Sequence, residues 1–275
     1  MENKLDYQGI SATLLVPLWG RAEITKRFPE FLKDDEAVRL VETLPYDFSD
    51  IREGYKGEYW LAASATRAYR FDKAIREYIA EHPKAAIVNI GAGLDTTFSR
   101  VDNGQISWYD LDLPEIIDIR RAVIPERQRA RFISRSAFDF KWLDEIDFKK
   151  EDGIFFIAGG FFYYFKPEEN GRLVAELARR FCGGQLLFDA GSKSGVRVSN
   201  KKVVRSGNKE AEMLFYTDDP DELYAWSDDI AEVELTPYYT QSTRKAARWS
   251  AHTKFMMFFG DLLEMVKLVR IRFED

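Results

Sequence analysis

The sequence predicts an α/β protein built around a doubly wound, largely parallel sheet. Short apolar runs rich in β-branched and aromatic residues alternate with helical segments, which is the pattern of strands joined by right-handed crossovers. The first of these runs leads into a Gly-x-Gly turn at Gly91 and Gly93. The next run ends in the carboxylates of Asp110 and Asp112. In a doubly wound sheet, this arrangement builds a site for a nucleoside-containing cofactor.

The first part of the chain is predicted to be helical. Helices are expected at residues 10–26 and 34–43, followed by a turn-rich segment at 44–48. Residues 58–81 form one amphipathic helix that His82 and Pro83 end. Its apolar residues recur at three- and four-residue spacing: Leu61, Ala65, Ala68, Ile75 and Ile79.

The sheet is predicted to contain seven strands. Five of them lie at residues 86–90, 106–110, 131–135, 154–159 and 185–190. Prolines open the intervening helices at 114–123 and 167–181. A sixth strand at 230–239 and a helix at 244–265 precede a last, antiparallel strand at 268–273. This count is typical of the Rossmann-like sheet of class I methyltransferases.

The segment from Ser192 to Lys209 is polar and basic, and it fits neither a strand nor a core helix. We expect it to form a mobile lid. A short helix follows, because Asp219 is a suitable N-cap and Pro220, Asp221 and Glu222 suit a first turn.

Composition narrows the class of protein. The 275 residues predict a single domain, and a net charge of −6 argues against nucleic acid bound through a basic surface. No apolar run approaches the roughly eighteen residues that a membrane span needs. The lone Cys182 favours a reducing cytoplasm. With His82 and His252 it makes no metal-ligand cluster, so no metal site is predicted.

The glycine turn distinguishes between cofactors. A dinucleotide fingerprint has a third glycine three residues after the second, whereas Gly93 is followed by Leu94, Asp95 and Thr96. We therefore favour S-adenosylmethionine over NAD. Two alternatives remain open at this point: a degenerate cofactor-binding regulatory protein and an NAD-dependent oxidoreductase.

Further residues are placed where such a cofactor would bind. Arg67 and Asp72 lie on the long helix in positions that can face it. One of Asp110 and Asp112 is expected at the ribose, and Asp139 after the third strand is expected to accept from the adenine amino group. The run 157–165 ends the fourth strand with two glycines and several aromatic rings, which can flank a sulfonium.

Taken together, these motifs resemble the leucine carboxyl methyltransferase superfamily, and within it the O-methyltransferases of polyketide biosynthesis. The resemblance runs from about Ser11 to Tyr239. The segments that carry it are 11–13, 18–22, 33–37, 46–48, 67–72, 89–96, 110–115 and 160–164.

The resemblance implies specific roles. Arg67 binds the methionine carboxylate of the cofactor, and the loop of Gly91, Ala92 and Gly93 cradles the same end. Asp112 holds the ribose. The adenine falls to Asp139 and Phe140, and the fourth strand contributes through Ala158 and Gly159. Many members of the superfamily carry a glutamate at the position of Gly159.

The predicted activity is methyl transfer from S-adenosylmethionine to a carboxylate or acidic hydroxyl of a small molecule. Tyr164, Arg21 and His252 are the candidate catalytic residues, and the lid residues Arg197, Lys201 and Lys202 are further cations that could orient an acidic acceptor. Residues 1–57, about 191–217 and 240–265 are predicted to form a substrate cap on the single domain. The oligomeric state is left open.

Overall fold

The computed structural model describes residues 12–55, 57–206 and 212–275. Its helices, in chain order, are α1 (Ala12–Arg27), α2 (Asp35–Thr43), α3 (Ser49–Tyr55), α4 (Glu58–Glu81), α5 (Thr97–Val101), α6 (Pro114–Val123), α7 (Pro167–Arg180), α8 (Lys193–Ser206), α9 (Asp221–Tyr224), α10 (Gln241–Lys245) and α11 (Ala251–Leu262). Its strands are β1 (Ala86–Ile90), β2 (Ser107–Asp112), β3 (Ala130–Ser134), β4 (Ile154–Ala158), β5 (Gln185–Gly191), β6 (Ile230–Pro237) and β7 (Val266–Phe273).

The seven strands form one sheet in the order β3-β2-β1-β4-β5-β7-β6. Strands β1 to β5 are parallel, and β7 runs antiparallel to both β5 and β6. The predicted fold, a class I methyltransferase sheet with an antiparallel last strand, is therefore confirmed. Strand order reverses between β1 and β4, which is where open α/β sheets bind ligands at the carboxyl ends of their strands.

Helices cover both faces of the central strands, so β1, β4 and β5 are buried along almost their whole length. Along β4, Phe155 and Ile157 enter the core that α1 and α4 cover, whereas Ile154 and Phe156 enter the opposite core. This alternation follows from the two-residue period of a strand. The strand ends that project from these two cores are consequently held rigidly.

Several element boundaries differ from the sequence-based expectation. Strand β2 reaches Asp112, so Asp110 lies inside the strand. The segment after β5 is a helix, α8: Val196 is buried while Lys193, Arg197 and Lys201 are exposed, and Ser192 Oγ accepts from the Gly195 N–H at 3.1 Å. Residues 10, 11 and 207–209, which were included in predicted elements, lie outside the described residues.

The helix expected at 244–265 is two helices. Trp249 is buried between them and donates from Nε1 to the Thr243 carbonyl, which turns the chain. Ser250 then caps α11 by accepting from the Thr253 N–H. The side-chain cap begins a new helix where the pattern of apolar residues alone indicated a continuous one.

A buried ion cluster joins the N-terminal helices to the sheet. Asp34 Oδ2 accepts from Arg21 Nε at 3.0 Å, from Arg100 Nη1 at 2.6 Å and from Thr96 Oγ1 at 2.6 Å. Burial would raise the pKa of the Asp34 carboxyl, but Arg100 and Arg21 together lower it below its usual value. Arg100 also binds Asp72, so α1, α2, α4 and α5 share one network.

We expect Asp34→Ala to lower the free energy of unfolding by about 3–5 kcal/mol, because it leaves Arg21 and Arg100 buried beside a missing partner. Urea unfolding at neutral pH measures this, with the exposed neighbour Asp35→Ala as a control that changes stability by less than about 0.5 kcal/mol. Because the folded pKa of Asp34 is lowered, its contribution is present above the unfolded pKa and is lost as pH falls through the folded one. A difference between wild type and variant that grows on acidification would contradict this.

Candidate active site

A cavity of about 1270 Å³ opens at the carboxyl edge of the sheet. The ends of β1, β2, β4 and β5 form its floor, and α1, α4, α8 and α11 contribute its walls. Pockets for a single ligand typically measure roughly 300–1,000 Å³. The cavity therefore has room for a cofactor and a second molecule beside it.

The loop after β1 requires glycine at two positions. Gly91 has φ +69° and Gly93 has φ +48°, both in the left-handed region. A Cβ at Gly91 would lie 2.6 Å from the Phe161 ring, and one at Gly93 would lie 2.8 Å from Leu14. Glycine therefore lets Phe161 and Leu14 pack closely against this loop, whose residues Gly91, Ala92 and Gly93 line the cavity.

Asp112 ties this loop to the end of β2. Its Oδ2 accepts from the Gly93 N–H at 2.7 Å, and its Oδ1 accepts from the Leu113 N–H at 2.8 Å. Burial raises the pKa of the Asp112 carboxyl although both amides favour its ionised form. The carboxylate lines the cavity beside the glycine loop, in the position expected for a ribose acceptor.

Asp110, the other acid considered for the ribose, serves the protein interior. It is buried and does not line the cavity. Its Oδ2 accepts from Arg120 Nη2 at 2.7 Å, while Oδ1 accepts from Trp108 Nε1 and Asn89 Nδ2. Burial raises the pKa of Asp110 despite the adjacent guanidinium. Of the two acids considered for the ribose, only Asp112 therefore lines the cavity, because Asp110 is buried.

Two buried arginines hold the carbonyl groups of the glycine loop. Arg120 Nη1 donates to the Gly93 and Asp95 carbonyls at 2.9 and 2.8 Å. Arg21 Nη2 donates to the Leu94 carbonyl at 2.9 Å. Arg21 borders the cavity as predicted for a catalytic residue, but the hydrogen bonds it makes go to this loop and to Asp34.

Arg67 stands over the end of β5, where it meets Asp189. Its Nε and Nη2 donate to Asp189 Oδ2 at 3.0 and 2.8 Å. The other oxygen, Oδ1, accepts from the Gly160 N–H at 2.6 Å, and Tyr163 donates to Oδ2 at 3.2 Å. Burial lowers the pKa of the Arg67 guanidinium, but Asp189 more than reverses this and raises it. The Arg67 side chain is 30% exposed and lines the cavity as a permanent cation.

Gly159 leaves the space that Arg67 occupies. A Cβ at this position would lie 3.0 Å from Arg67 Cδ and 3.4 Å from the Phe71 ring. Gly159 lines the cavity, whereas Ala158 is buried beneath it. In this chain the carboxylate partner of Arg67 is Asp189 on β5.

The remaining predicted residues divide between the cavity and its surroundings. Tyr164 and His252 line the cavity, and burial raises the pKa of the Tyr164 hydroxyl. Asp139 and Phe140 do not line it. Asp139 instead pairs with Arg135 at 3.1 Å, and residues 135–138 form that part of the wall. The adenine roles of Asp139 and Phe140 stay predictions.

Asp72 was expected in a position that can face the cofactor, but it does not line the cavity. It is buried and binds Arg100 through both oxygens, at 2.8 and 2.9 Å. Arg197 and Lys201 lie exposed on α8 and line a neighbouring surface groove rather than this cavity. The Lys202 side chain lies outside the described residues.

Sequence reasoning gave no role to Asp189, Arg120 or Asp95. Asp189 ends an apolar strand in the same way as Asp112, and that signal was available. Arg120 lies on an amphipathic helix, where nothing in its neighbourhood distinguishes it from a solvated cation.

Across the ranges that the structure covers, no group of His, Cys, Asp and Glu is arranged to hold a metal ion, and no helix has the length and hydropathy of a membrane span.

Comparison with known proteins shows the family to which this chain belongs. The sequence model of the family described as leucine carboxyl methyltransferase matches residues 20–178, more than half of the chain. This chain belongs to the leucine carboxyl methyltransferase family. The resemblance drawn from the motifs is confirmed, and S-adenosylmethionine is the cofactor that goes with this family.

Individual relatives agree with this family. The tetracenomycin polyketide synthesis O-methyltransferase TcmP of Streptomyces glaucescens is 29% identical over 183 residues, which cover 66% of this chain and 66% of TcmP. A candidate methyltransferase from Thermobifida fusca YX has a TM-score of 0.58 at 13% identity, covering 98% of this chain and 97% of that one. A DUF574 family protein from Streptomyces avermitilis also scores 0.58, at 11% identity, with coverages of 85% and 94%. At these identities, the two structures support the fold alone.

We expect Arg120→Met to lower the free energy of unfolding by about 3–5 kcal/mol, because Asp110 would stay buried without its cation. Asp110→Asn in the same chain should recover part of this loss, giving a coupling energy of roughly 1 kcal/mol or more. Urea unfolding of the two single variants and the double variant measures the coupling. Arg121→Met, on the exposed side of α6, is the matched control, and strictly additive effects would contradict the pairing.

Proposed function

We propose that the protein is an S-adenosylmethionine-dependent O-methyltransferase that acts on a carboxylate or acidic hydroxyl of a small molecule. The observation that carries this is the glycine loop, with Asp112 bonded to the Gly93 N–H, at the floor of a cavity larger than one ligand needs. The O-methyltransferase TcmP, 29% identical, supports oxygen as the acceptor atom and a polyketide-like metabolite as the acceptor.

The residues present fit the cofactor. Gly91 and Gly93 line the cavity with backbone for the methionine end, and the cationic Arg67 lines the same cavity to bind its carboxylate. Asp112 lines the cavity, and its carboxylate has further lone pairs that can accept from the ribose hydroxyls. Residues 135–138 also line the cavity, and we assign the adenine to this wall. Asp189 accepts from Nε and Nη2 of Arg67 and so fixes the orientation of the guanidinium.

When bound, S-adenosylmethionine supplies a methyl group that its sulfonium already activates. The task of the chain is to align the acceptor oxygen opposite the carbon–sulfur bond and to exclude water, which is worth roughly 7–11 kcal/mol of the barrier in favourable cases. Tyr163, Tyr164 and Phe161 border the same part of the cavity and offer aromatic faces to a cation.

The acceptor is expected under the cap formed by residues 1–57, about 191–217 and 240–265. Leu14, Val198 and Phe259 from these segments line the cavity opposite the sheet. A carboxylate acceptor is already ionised at neutral pH and needs no base. A hydroxyl acceptor must lose its proton to a base. His252 and Tyr164 line the cavity and are the candidates for this role.

The exposed, unpaired Cys182 is consistent with cytoplasmic placement.

Thermal unfolding with ligands tests the cofactor. S-adenosylhomocysteine at a hundred times its dissociation constant adds about 2.7 kcal/mol and should raise the midpoint by roughly 5–10 °C. Arg67→Ala should weaken its binding about 10- to 100-fold, since a hydrogen bond between charged groups contributes about 1.5–3 kcal/mol. Lys73→Ala, an exposed cation on the same helix, is the control. A shift with NAD alone, or none with any nucleoside, would overturn the proposal; the latter favours a degenerate cofactor site.

Paired probes test the acceptor class. With 2-naphthoic acid, kcat/KM should be constant from about pH 6 to 9, because the carboxyl group is ionised throughout, and His252→Gln should leave it unchanged. With 2-naphthol, the rate should rise with pH, and the same variant should lose about 100-fold or more if His252 is the base. Methyl transfer to the phenol alone would reverse the preference for a carboxylate.

A further inference from the structure

Four carboxylates line the cavity within the part of the chain that the structure describes: Glu58, Asp95, Asp112 and Asp189. The ribose and Arg67 account for Asp112 and Asp189. The cofactor makes a further demand, because the methionine end of S-adenosylmethionine carries an α-ammonium group beside its α-carboxylate. A buried ammonium group without a partner is costly. One of these carboxylates is therefore expected to accept from it.

The carboxylate of Asp189 is already saturated with donors. It accepts two hydrogen bonds from Arg67, one from the Gly160 N–H and one from the Tyr163 hydroxyl. A carboxylate offers about four lone-pair sites in all. The Asp189 side chain is only 1% exposed, and its charge is matched by Arg67. It therefore has no oxygen to offer to a second cation.

Asp112 and Glu58 serve other parts of the cavity. Asp112 ends β2 and is the acceptor assigned to the ribose. Glu58 begins α4, about 13 Å from Arg67 along the helix axis, and its Oε1 accepts from the Ser250 N–H at 2.8 Å. The ammonium and carboxylate groups of the cofactor are attached to one carbon atom. A carboxylate this far from Arg67 does not suit the same head group.

Asp95 belongs to the turn that contains the glycine loop. Its N–H donates to the Ala92 carbonyl at 2.8 Å. Its Oδ2 accepts from the Thr97 N–H at 2.9 Å and from Asn89 Nδ2 at 3.3 Å. Both of these donors are neutral, so lone pairs of the Asp95 carboxylate remain available to a cation in the cavity.

The carboxyl group of Asp95 is kept ionised. Burial would raise its pKa, but Arg21 and Arg100 lower the pKa below its usual value. These two cations are themselves paired with Asp34 and Asp72. They therefore stabilise the charge of Asp95 through space, while their own hydrogen bonds go to the other two carboxylates.

The carbonyl groups of the same turn already have donors. Those of Gly93, Leu94 and Asp95 accept from buried guanidinium groups, and that of Ala92 accepts from the Asp95 N–H. A hydrogen bond between an ammonium group and a carboxylate is also stronger than one to a neutral carbonyl. The side chain of Asp95 is therefore the stronger acceptor for a cation at this loop.

We propose that Asp95 binds the α-ammonium group of the cofactor, while Arg67 binds its α-carboxylate. The assignment rests on the proposed function, because it takes the methionine end to lie between the glycine loop and Arg67. An anion and a cation together recognise an amino acid head group by both of its charges. A ligand that keeps the adenosine and the carboxylate but lacks the ammonium group should then bind less tightly.

Isothermal titration calorimetry of the full chain with two ligands tests the role of Asp95. The first ligand is S-adenosylhomocysteine, and the second is its desamino analogue, in which a hydrogen atom replaces the α-amino group. Wild type should bind the first about 10- to 100-fold more tightly, which is the effect of one hydrogen bond between charged groups. Asp95→Asn should abolish this preference by weakening the first ligand alone. Asp95→Glu, which keeps the charge, should retain part of it.

Two further variants separate the assignment from other effects. Asp118→Asn, at an exposed position on α6, is the matched control and should keep the wild-type preference. Arg67→Ala should weaken both ligands, since both retain the carboxylate. Equal affinity of wild type for the two ligands, or a preference that survives Asp95→Asn, would overturn the assignment.

The desamino analogue also reports whether the site of each variant is intact. Loss of both ligands in Asp95→Asn would assign Asp95 to the structure of the loop and overturn its role at the ammonium group. A wild type that binds neither ligand would instead overturn the proposed function, and this assignment with it. The two failures are therefore distinguishable.

Discussion

The structure depends on buried charges that hold one short loop in a single conformation. The carbonyl groups of Gly93, Leu94 and Asp95 need donors in the protein interior. Arg120 and Arg21 supply them, and each guanidinium is balanced by a carboxylate, Asp110 or Asp34. Removing either charge would strand its partner in a medium where an isolated ion is costly.

This network also connects the N-terminal helices to the glycine loop. Arg21 belongs to α1, and Asp34 is the N-cap of α2, while Arg100 joins both to α4 through Asp72. The N-terminal helices are therefore fixed to the same loop that faces the cavity. A displacement of α1 would therefore move the donor of the Leu94 carbonyl. The positions of α1 and of the glycine loop, which both line the cavity, depend on the same contacts.

At the other end of the cavity, the Arg67–Asp189 pair depends on the glycine at position 159. The absence of a side chain at Gly159 lets Arg67 lie against the end of β4, and Asp189 approaches from the next strand. The aspartate is itself held by the Gly160 N–H and the Tyr163 hydroxyl. The cation of Arg67 and the anion of Asp189 are therefore both held in fixed positions.

The sequence by itself determined the sheet, the glycine loop and the presence of an acid at position 110 or 112, because each of these follows from local spacing: strand period, left-handed turns and a strand's end. It also indicated α4 and the prolines that begin α6 and α7. Only the tertiary structure decided which of Asp110 and Asp112 faces the cavity, that Asp72 belongs to an ion pair, and that Asp189 holds Arg67. These depend on contacts between residues 10 to 122 positions apart, and no local pattern encodes which charge is buried beside which.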